Sequence, residues 1–492
     1  MKYITVEEAS KKLDLSARSI RNYCAQGRIP GATLNGKTWL IPEDVSKPER
    51  SNGKEELDYE AIALGEELIS FINKSPVSFL AIQNIEEVLK KHGYIEILEG
   101  ERHHLQVGEK VFFVRNDSTL IALNIGKNVT IENGSFHIVA SHTDSPCFKI
   151  KPECDSKTDE YNKVNVAPYG GLIAPSFLDR PLGVAGRIYT NTEEGIEAHI
   201  VNYSDLVAYM PNLCIHFNKN INDGYTYDMA KDMQAYISLG DYSLKQALAK
   251  RLKVKEEEIM NFDLFLYNKE GGLIWGEKKE FLSSPRLDDL ECVYVSTKAF
   301  VNTTNDNAIN VLYLCDNEEV GSLSRQGADS DFLANIIMRT CKDIAINYER
   351  SVANSFMVSA DNAHAVHPNH PEITDKDNKV YMNRGIAIKF SAANLYTSDA
   401  LTSSIFQKIC NNANVPYQFF ANRSNIRGGS TLGKLLLPQV SLMAVDVGLG
   451  QLAMHSSYET IGTIDIKYAV KAFTEFYKTS FKISKKSVKI IK

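Results

Sequence analysis

Residues Val139–Pro146 read VASHTDSP and close an apolar run, FHIVA, that begins at Phe136. A run of that length between polar residues fits a strand buried on both faces. It ends in a His and an Asp two positions apart, His142 and Asp144. Alone, such a His is more often a half-buried ring with a satisfied partner than a ligand. Three further apolar runs end in the same kind of residue. AINVLYLC is followed by DNEEVGS, with Glu318 and Glu319, and NSFMVSA by Asp361 and His364. VSLMAVDVG leads through LGQLAMHSS to His455, and SSPRLDDL supplies Asp288 and Asp289. These runs are short, rich in β-branched residues and separated by helical spacing, which predicts a mixed α/β sheet. Ligands bind beyond the carboxyl ends of the strands in open α/β sheets. Four strands would therefore deliver His, Glu, Asp and His to one edge.

The composition sets limits on function. The chain has 492 residues, 43% hydrophobic and 24% charged, enough for two or three domains. A net charge of -6 gives no bulk signal for a polyanion binder. The eight cysteines, at 24, 147, 154, 214, 292, 315, 341 and 410, form no C-x-x-C pair. That argues against a cysteine zinc site or a redox motif and fits free thiols in a reducing cytoplasm. MKYITVEEASKK is not a signal peptide, and no run of about 18 apolar residues is present to span a membrane. The expectation is a soluble cytoplasmic protein with no membrane partner.

Residues 1–48 read as a separate small unit. TVEE at 5–8 is a capping box, so a helix should follow Thr5 and bury Val6, Ala9 and Leu13. Ser16 can cap a second helix over Ala17–Ala25, with Arg18, Arg21 and Asn22 outward and Ile20 and Tyr23 free to pack. GRIPGATLNGKTWLIPEDV then predicts two strands about an Asn-Gly turn at 35–36. This order of elements resembles the winged helix-turn-helix of excisionase and MerR-type DNA-binding domains. The resemblance makes DNA a candidate partner through residues 1–48, with Arg18, Arg21 and Arg28 facing phosphate. Residues 1–50 hold nine Lys/Arg against six Asp/Glu, a small excess, and solvated helix charges on a docking module account for it equally well. Residues 49–57 are polar and read as a linker. Residues 58–152 and 284–492 alternate helical and strand patterns. Between them, 153–283 carries short segments such as NKVNVAPYGGL, VAGRIYT, EAHIVNY and CIHFNKN, and is taken as a β-rich insertion.

Gathering four or five carboxylates at one edge would raise their own pKa values by mutual repulsion. Divalent ions remove that penalty. Two His and several carboxylates suit zinc with room for water, and cobalt or manganese tolerate the same donors. A carboxylate between two ions about 3.5–4 Å apart can bridge them during a hydrolysis. Adjacent Glu318 and Glu319 on an extended loop point opposite ways, which suggests one ligand and one general base. Solvated loop carboxylates explain any one of these residues and explain the set poorly.

SHTDSP, FLDRPLGVAGRI, RLDDL, DNEEVGS, SADNAHAVHPNH and QLAMHSSYE stand in the order and spacing of one family. Over roughly residues 60 to 480 the chain resembles the aspartyl aminopeptidases, zinc metallopeptidases that include vacuolar aminopeptidase I. The resemblance implies a zinc-exopeptidase catalytic domain with an inserted dimerisation domain. It also implies two Zn2+ per subunit, peptide substrates with acidic N-terminal residues among them, and a homo-oligomer, a tetrahedral dodecamer in the family. His142, Glu319, Asp361 and His455 would be metal ligands, Asp288 the bridging ligand, and Asp144 the carboxylate that orients His142. Glu318 would be the general base, taking a proton from water and passing it to the leaving amine, with Tyr396 beside the developing oxyanion. His364, Lys389 and Tyr396 would touch substrate, and Lys389 could pair with an acidic side chain or with other charge near the site. His216 would reach into a neighbouring subunit's site. The sequence departs from the usual pattern at Asp289, where Asn is common, and in HPNH, IRGGSTLG, SSYE and Pro181.

Other readings stand beside this one. A DNA-binding regulator could use a peptidase-like domain to sense peptide or metal, although a sensor has less need of Glu318. The first unit could instead cap or modify an oligomer. His364, His367 and His370 could form a separate zinc site, but Pro368 interrupts them. His103 and His104 read as exposed loop residues.

Overall fold

The computed structural model describes residues 3–25, 29, 31–35, 38–47, 57–426, 428–484 and 487–491. Contacts divide the chain into two units, Met1–Leu57 and Asp58–Lys492. In the first, Thr5 caps the helix Val6–Leu13: its hydroxyl accepts from the Glu8 N–H, and the Glu8 carboxylate accepts from the Thr5 N–H at 2.7 Å. Ser16 accepts the Ser19 N–H at the start of the second helix, Ala17–Ala25. Val6, Ala9, Leu13, Ile20, Cys24, Ile29 and Ile41 form the core of the unit. Strands Thr33–Asn35 and Thr38–Pro42 pair antiparallel as the expected wing. Gly36 of its turn, Arg28 and linker residues 49–56 lie outside the described residues.

The second unit is built on a nine-stranded mixed sheet. Four neighbouring strands form its centre, in the order Met443–Gly448, Phe356–Ala360, Phe136–His142 and Ile309–Cys315, and all run parallel. These are the strands whose ends carry the metal-type residues. Successive side chains turn to opposite faces. Val139, Leu312, Leu314 and Val358 join one core with the helices Tyr59–Lys74, Ser78–Lys91, Leu287–Val301 and Thr463–Lys478. Ile138, Ala140, Val311 and Tyr313 join the other, against Phe332–Asp343 and Leu432–Leu436. Both faces are covered, so each strand reads as an unbroken apolar run.

Between Cys147 and Asn268 six antiparallel strands close into a barrel with its own core, including Phe148, Leu182, Val184 and Leu264. Several strands are far longer than the segments read from the sequence: Pro181–Thr192 has 12 residues and Gly195–Tyr209 has 15. Closure requires tilted strands long enough to wrap, and a register shift at Gly183/Val184 bends one of them. At Gly186 (φ 150°) a Cβ would stand 2.0 Å from the Asp263 carbonyl oxygen, so only glycine lets the neighbouring strand approach there. CIHFNKN, read as another short segment of the β-rich part, is instead a run of turns.

A second sheet of very short strands positions the site. Its order is Leu273–Trp275, Phe281–Ser284, Glu459–Gly462, Gly450–Leu452 and Ala363–His364. It ties the segment after Asp361, the segments flanking His455 and the approach to Asp288 into one framework.

Candidate metal centre

The parallel strands place their ends side by side. Cys315 lies opposite His142, and Ser359 lies opposite Ala140 and Asp446. Asp288 and Asp289 arrive at the start of the helix Leu287–Val301, where both have non-helical backbone angles. Ligand atoms of His142, Asp288, Asp289 and Asp361 all lie within 4.8 Å of one another. So do those of Asp288, Glu319 and His455, and those of His142, Glu318 and Glu319. Asp288 is common to the first two groups. Its Oδ1 is 3.4 Å from His142 Nε2, and its Oδ2 is 3.6 Å from His455 Nε2. Glu319 Oε2 is 3.4 Å from the same His455 nitrogen.

The other ring nitrogens fix the tautomers. His142 Nδ1 is 3.1 Å from the Asp144 carbonyl oxygen, and His455 Nδ1 is 2.9 Å from that of Gly171. A carbonyl only accepts, so both Nδ1 atoms carry the proton and donate. The Nε2 of each ring is then the atom turned toward the Asp288 carboxylate. Asp288 Oδ1, Asp289 Oδ1 and Glu319 Oε1 are buried with no hydrogen-bond partner among the described residues. Carboxylate oxygens without partners, gathered with two imidazole Nε2 atoms in a buried site, fit a shared cation. Separations of 3.4–3.6 Å match it too, since donors about 2.0–2.1 Å from a tetrahedral ion stand about 3.3 Å apart.

Asp144 does more than the sequence reading assigned to it. Its Oδ1 is 3.4 Å from His142 Nδ1 and accepts the Glu318 N–H at 3.1 Å. Its Oδ2 accepts the Glu319 N–H at 3.1 Å and the Tyr169 hydroxyl at 2.9 Å. One carboxylate thus fixes both the imidazole and the acidic loop. That loop is not extended, as the sequence reading had it. Asn317 has φ 65° and a 3-10 turn runs over Glu318–Val320, so both acids reach the His142 cluster.

Burial pushes the Glu318 carboxyl up to about 8; Asp361, Asp144 and Asp288 add to the rise and His142 opposes it. Burial also lifts Glu319 and Asp289 well above the usual carboxylate range. Asp288 goes the other way: burial would raise it, but His142 and His455 hold it low. His142 is raised well above its ordinary value because the Asp289 charge and contacts to Asp144 and Asp288 overcome burial.

Next to Asp361, Lys389 is 3% exposed and its Nζ lies 3.6 Å from Asp361 Oδ2. It also stands 5.6 Å from the centre of the Tyr396 ring. Tyr396 is buried, and its hydroxyl accepts from Asn422 Nδ2 at 3.3 Å. His364 keeps an exposed edge while its ring is recessed, and burial and then the Lys389 charge hold it below the ordinary imidazole value. His216 lies on an exposed turn of the insertion, outside the cluster. His367 and His370 stack 5.2 Å apart but join no metal-type group among the described residues. His104 is exposed, while His103 is half-buried with Nε2 3.3 Å from Glu109.

Two further residues escaped the sequence reading. Glu459 is fully buried: its Oε2 accepts the Asp288 N–H at 3.0 Å and its Oε1 the His455 N–H at 2.8 Å. Its place four residues after His455 was the available signal. Asp446, buried in its strand, accepts from Thr397 N and Oγ1 and from Thr431 Oγ1, tying the loop after Tyr396 to the GGST segment.

A family model described as aminopeptidase I zinc metalloprotease (M18) matches residues 71–477. This chain belongs to the M18 family of zinc aminopeptidases. It is 42% identical over 431 residues to the probable M18 family aminopeptidase 2 of Clostridium novyi, covering 85% of this chain and 99% of that relative. It is 32% identical over 476 residues to a probable aspartyl aminopeptidase of Ricinus communis, covering 86% and 97%. The S. cerevisiae mApe1 dodecamer superposes with a TM-score of 0.74 at 28% identity, covering 85% of this M18 chain and 97% of that one. A helix-turn-helix model matches residues 3–45, ahead of the M18 region. No helix of the described residues is long and apolar enough to cross a membrane.

Proposed function

We propose that this M18 aminopeptidase removes N-terminal residues from peptides at a centre for two zinc ions. His142 and Asp361 would hold one, Glu319 and His455 the other, and Asp288 would serve both. The observation that carries this reading is the placement of Asp288, with one oxygen toward each imidazole Nε2. When bound, the ions supply Lewis acidity and make water a nucleophile at neutral pH. Glu318, held at its N–H by Asp144, takes the proton from that water and returns it to the leaving amine. Asp144 and Glu459 position; neither exchanges a proton with substrate. Tyr396 lies beside Lys389 and lines the side on which the substrate's first residue would sit.

An acidic N-terminal preference rests on Lys389 and on the likeness to the Ricinus aspartyl aminopeptidase. Lys389 is already balanced by Asp361, so a substrate carboxylate would share the ammonium with it. The test is a turnover panel of N-terminal Asp, Glu, Leu, Ala and Lys peptides, with chelator and after restoring zinc, cobalt or manganese. We expect chelator-sensitive release, with Asp and Glu preferred by about tenfold or more and the preference removed by Lys389→Met. An unchanged ranking in Lys389→Met would remove Lys389 from the specificity pocket. Chelator-resistant turnover would end the metal reading.

The likeness to the yeast dodecamer supports a homo-oligomer with the barrel as its dimerisation part. Leu213, Ile215 and Phe217 flank His216 and are 56%, 51% and 81% exposed in the single chain, an apolar tract that association would cover. Light scattering should give a mass near twelve copies, and a monomer would refute it. All eight cysteines are free, which accords with a cytoplasmic location. DNA binding through residues 1–48 rests on the helix-turn-helix likeness and on Arg18, which is exposed. Arg21 is paired with Glu7 at 2.9 Å, and nothing in the second unit favours the regulator reading.

A further inference from the structure

Of the buried carboxylates that the two-ion reading leaves without a task, Asp289 is the one that joins the metal-type cluster. Asp289 is 0% exposed and adjoins the bridging Asp288. Its Oδ2 accepts the His142 N–H at 3.1 Å. Its Oδ1 has no hydrogen-bond partner among the described residues. One of its oxygens lies within 4.8 Å of ligand atoms from His142, Asp288 and Asp361. The nearby Cys292 thiol, a weak donor, lies 3.6 Å from Asn362 Oδ1 and also within reach of the Asp289 carboxyl, where it competes poorly with a cation. The groups that Asp289 faces in this cluster are two further carboxylates and an imidazole.

A purely structural role would need only the oxygen that holds the His142 N–H, and an amide oxygen would hold it equally well. The second oxygen makes sense as a donor to a cation. The two ion positions are then unequal. The one at His142 has one nitrogen and three carboxylates, from Asp288, Asp289 and Asp361. The one at His455 has one nitrogen and two, from Asp288 and Glu319. Carboxylate-rich donor sets suit manganese and magnesium, while imidazole suits zinc.

We propose that Asp289 is a further protein ligand of the ion at His142 and Asp361, and that it shifts this position toward oxygen-preferring divalent ions of the Mn2+ class. The proposal rests on the two-ion reading. Mn2+ binding to the metal-stripped full chain is measured by the paramagnetic resonance of free Mn2+. Zn2+ binding is measured by competition with a chromophoric chelator. The wild type and Asp289→Asn are compared, with the melting of each metal-free protein as the control for folding.

The wild type should bind two Mn2+, and its two positions should differ at least tenfold in their Mn2+ to Zn2+ affinity ratio. Asp289→Asn keeps the oxygen for His142 and should melt no lower than wild type when metal-free. It should weaken Mn2+ at one position by about 10–100-fold, weaken Zn2+ less, and leave the other position unchanged. Equal ratios at the two wild-type positions would overturn the proposal without the variant. So would two unchanged Mn2+ affinities in Asp289→Asn, or equal losses for both metals. A wild type that takes up fewer than two ions refutes the two-ion reading itself and this inference with it.

Discussion

Glu318→Gln should lower kcat by about 10²–10⁴-fold while leaving metal content and KM close to wild type. Gln has the same shape and preserves the backbone, so the Glu318 N–H still reaches Asp144 Oδ1. What it loses is the ability to take a proton. The wild-type carboxyl is pushed up to about 8 by burial and by the acids around it. A divalent charge beside it brings that value down toward neutrality, where a base works best. The acid limb of the kcat/KM profile should therefore disappear in the variant, leaving a low and flat residual rate. Stopped-assay kinetics together with metal analysis separates the roles. Turnover preserved in a metal-replete variant would remove Glu318 as the base. Loss of an ion would make it a ligand instead, a role its place within 4.8 Å of His142 and Glu319 makes worth checking.

The centre of the fold was legible because the strands that carry the site are buried on both faces. Ile309–Cys315 and Phe136–His142 have no exposed residue, so each reads as an apolar run with a sudden polar end. The first unit was legible for local reasons: a reciprocal Thr5–Glu8 cap and an amphipathic turn need no distant partner. The barrel was less so. Gly195–Tyr209 turns much of its length to solvent, and its register is set by pairing with Pro181–Thr192 rather than by an apolar pattern. The small positioning sheet left no signal, because strands as short as Ala363–His364 and Gly450–Leu452 have no periodicity.

Within the site, ligand-type residues at strand ends could be read, and their supports could not. The family resemblance implies Asp144 as the partner of His142. Its bonds to Glu318 and Glu319 depend on the Asn317 turn, which the sequence reading took as extended. Tyr169 and Gly171 reach the site from the barrel end, and their contribution is a hydroxyl and a carbonyl that any local pattern could supply. Lys389 has two readings in the sequence, substrate or nearby charge, and its Nζ lies 3.6 Å from Asp361 Oδ2.

Stripping the metals should destabilise the unit 58–492, and more so at pH 8 than at pH 6. Glu318 has an ordinary value of 4.5 and is pushed up to about 8 in the fold. Glu319, Asp289 and Glu459 are also raised well above their ordinary values, chiefly by burial. Between the unfolded and folded values the unfolded chain has released protons that the folded chain keeps. Stability therefore falls as pH rises through this window. His142 is raised as well, so its contribution is present below about 6.5 and is lost at higher pH, with the same sign. Asp288 is held low, and its contribution, gained above about 4, is constant from pH 6 to pH 8. Divalent ions replace these protons as counter-charge, so the loaded enzyme should lose most of this slope. Binding at about 1,000-fold over Kd adds about 4 kcal/mol per site. Calorimetric scans with chelator, with excess zinc and at both pH values read this directly. The chelated midpoint should lie further below the zinc-loaded midpoint at pH 8. Equal gaps at both pH values would mean that the acids at Asp288 are already balanced within the chain and that the cluster does not depend on cations.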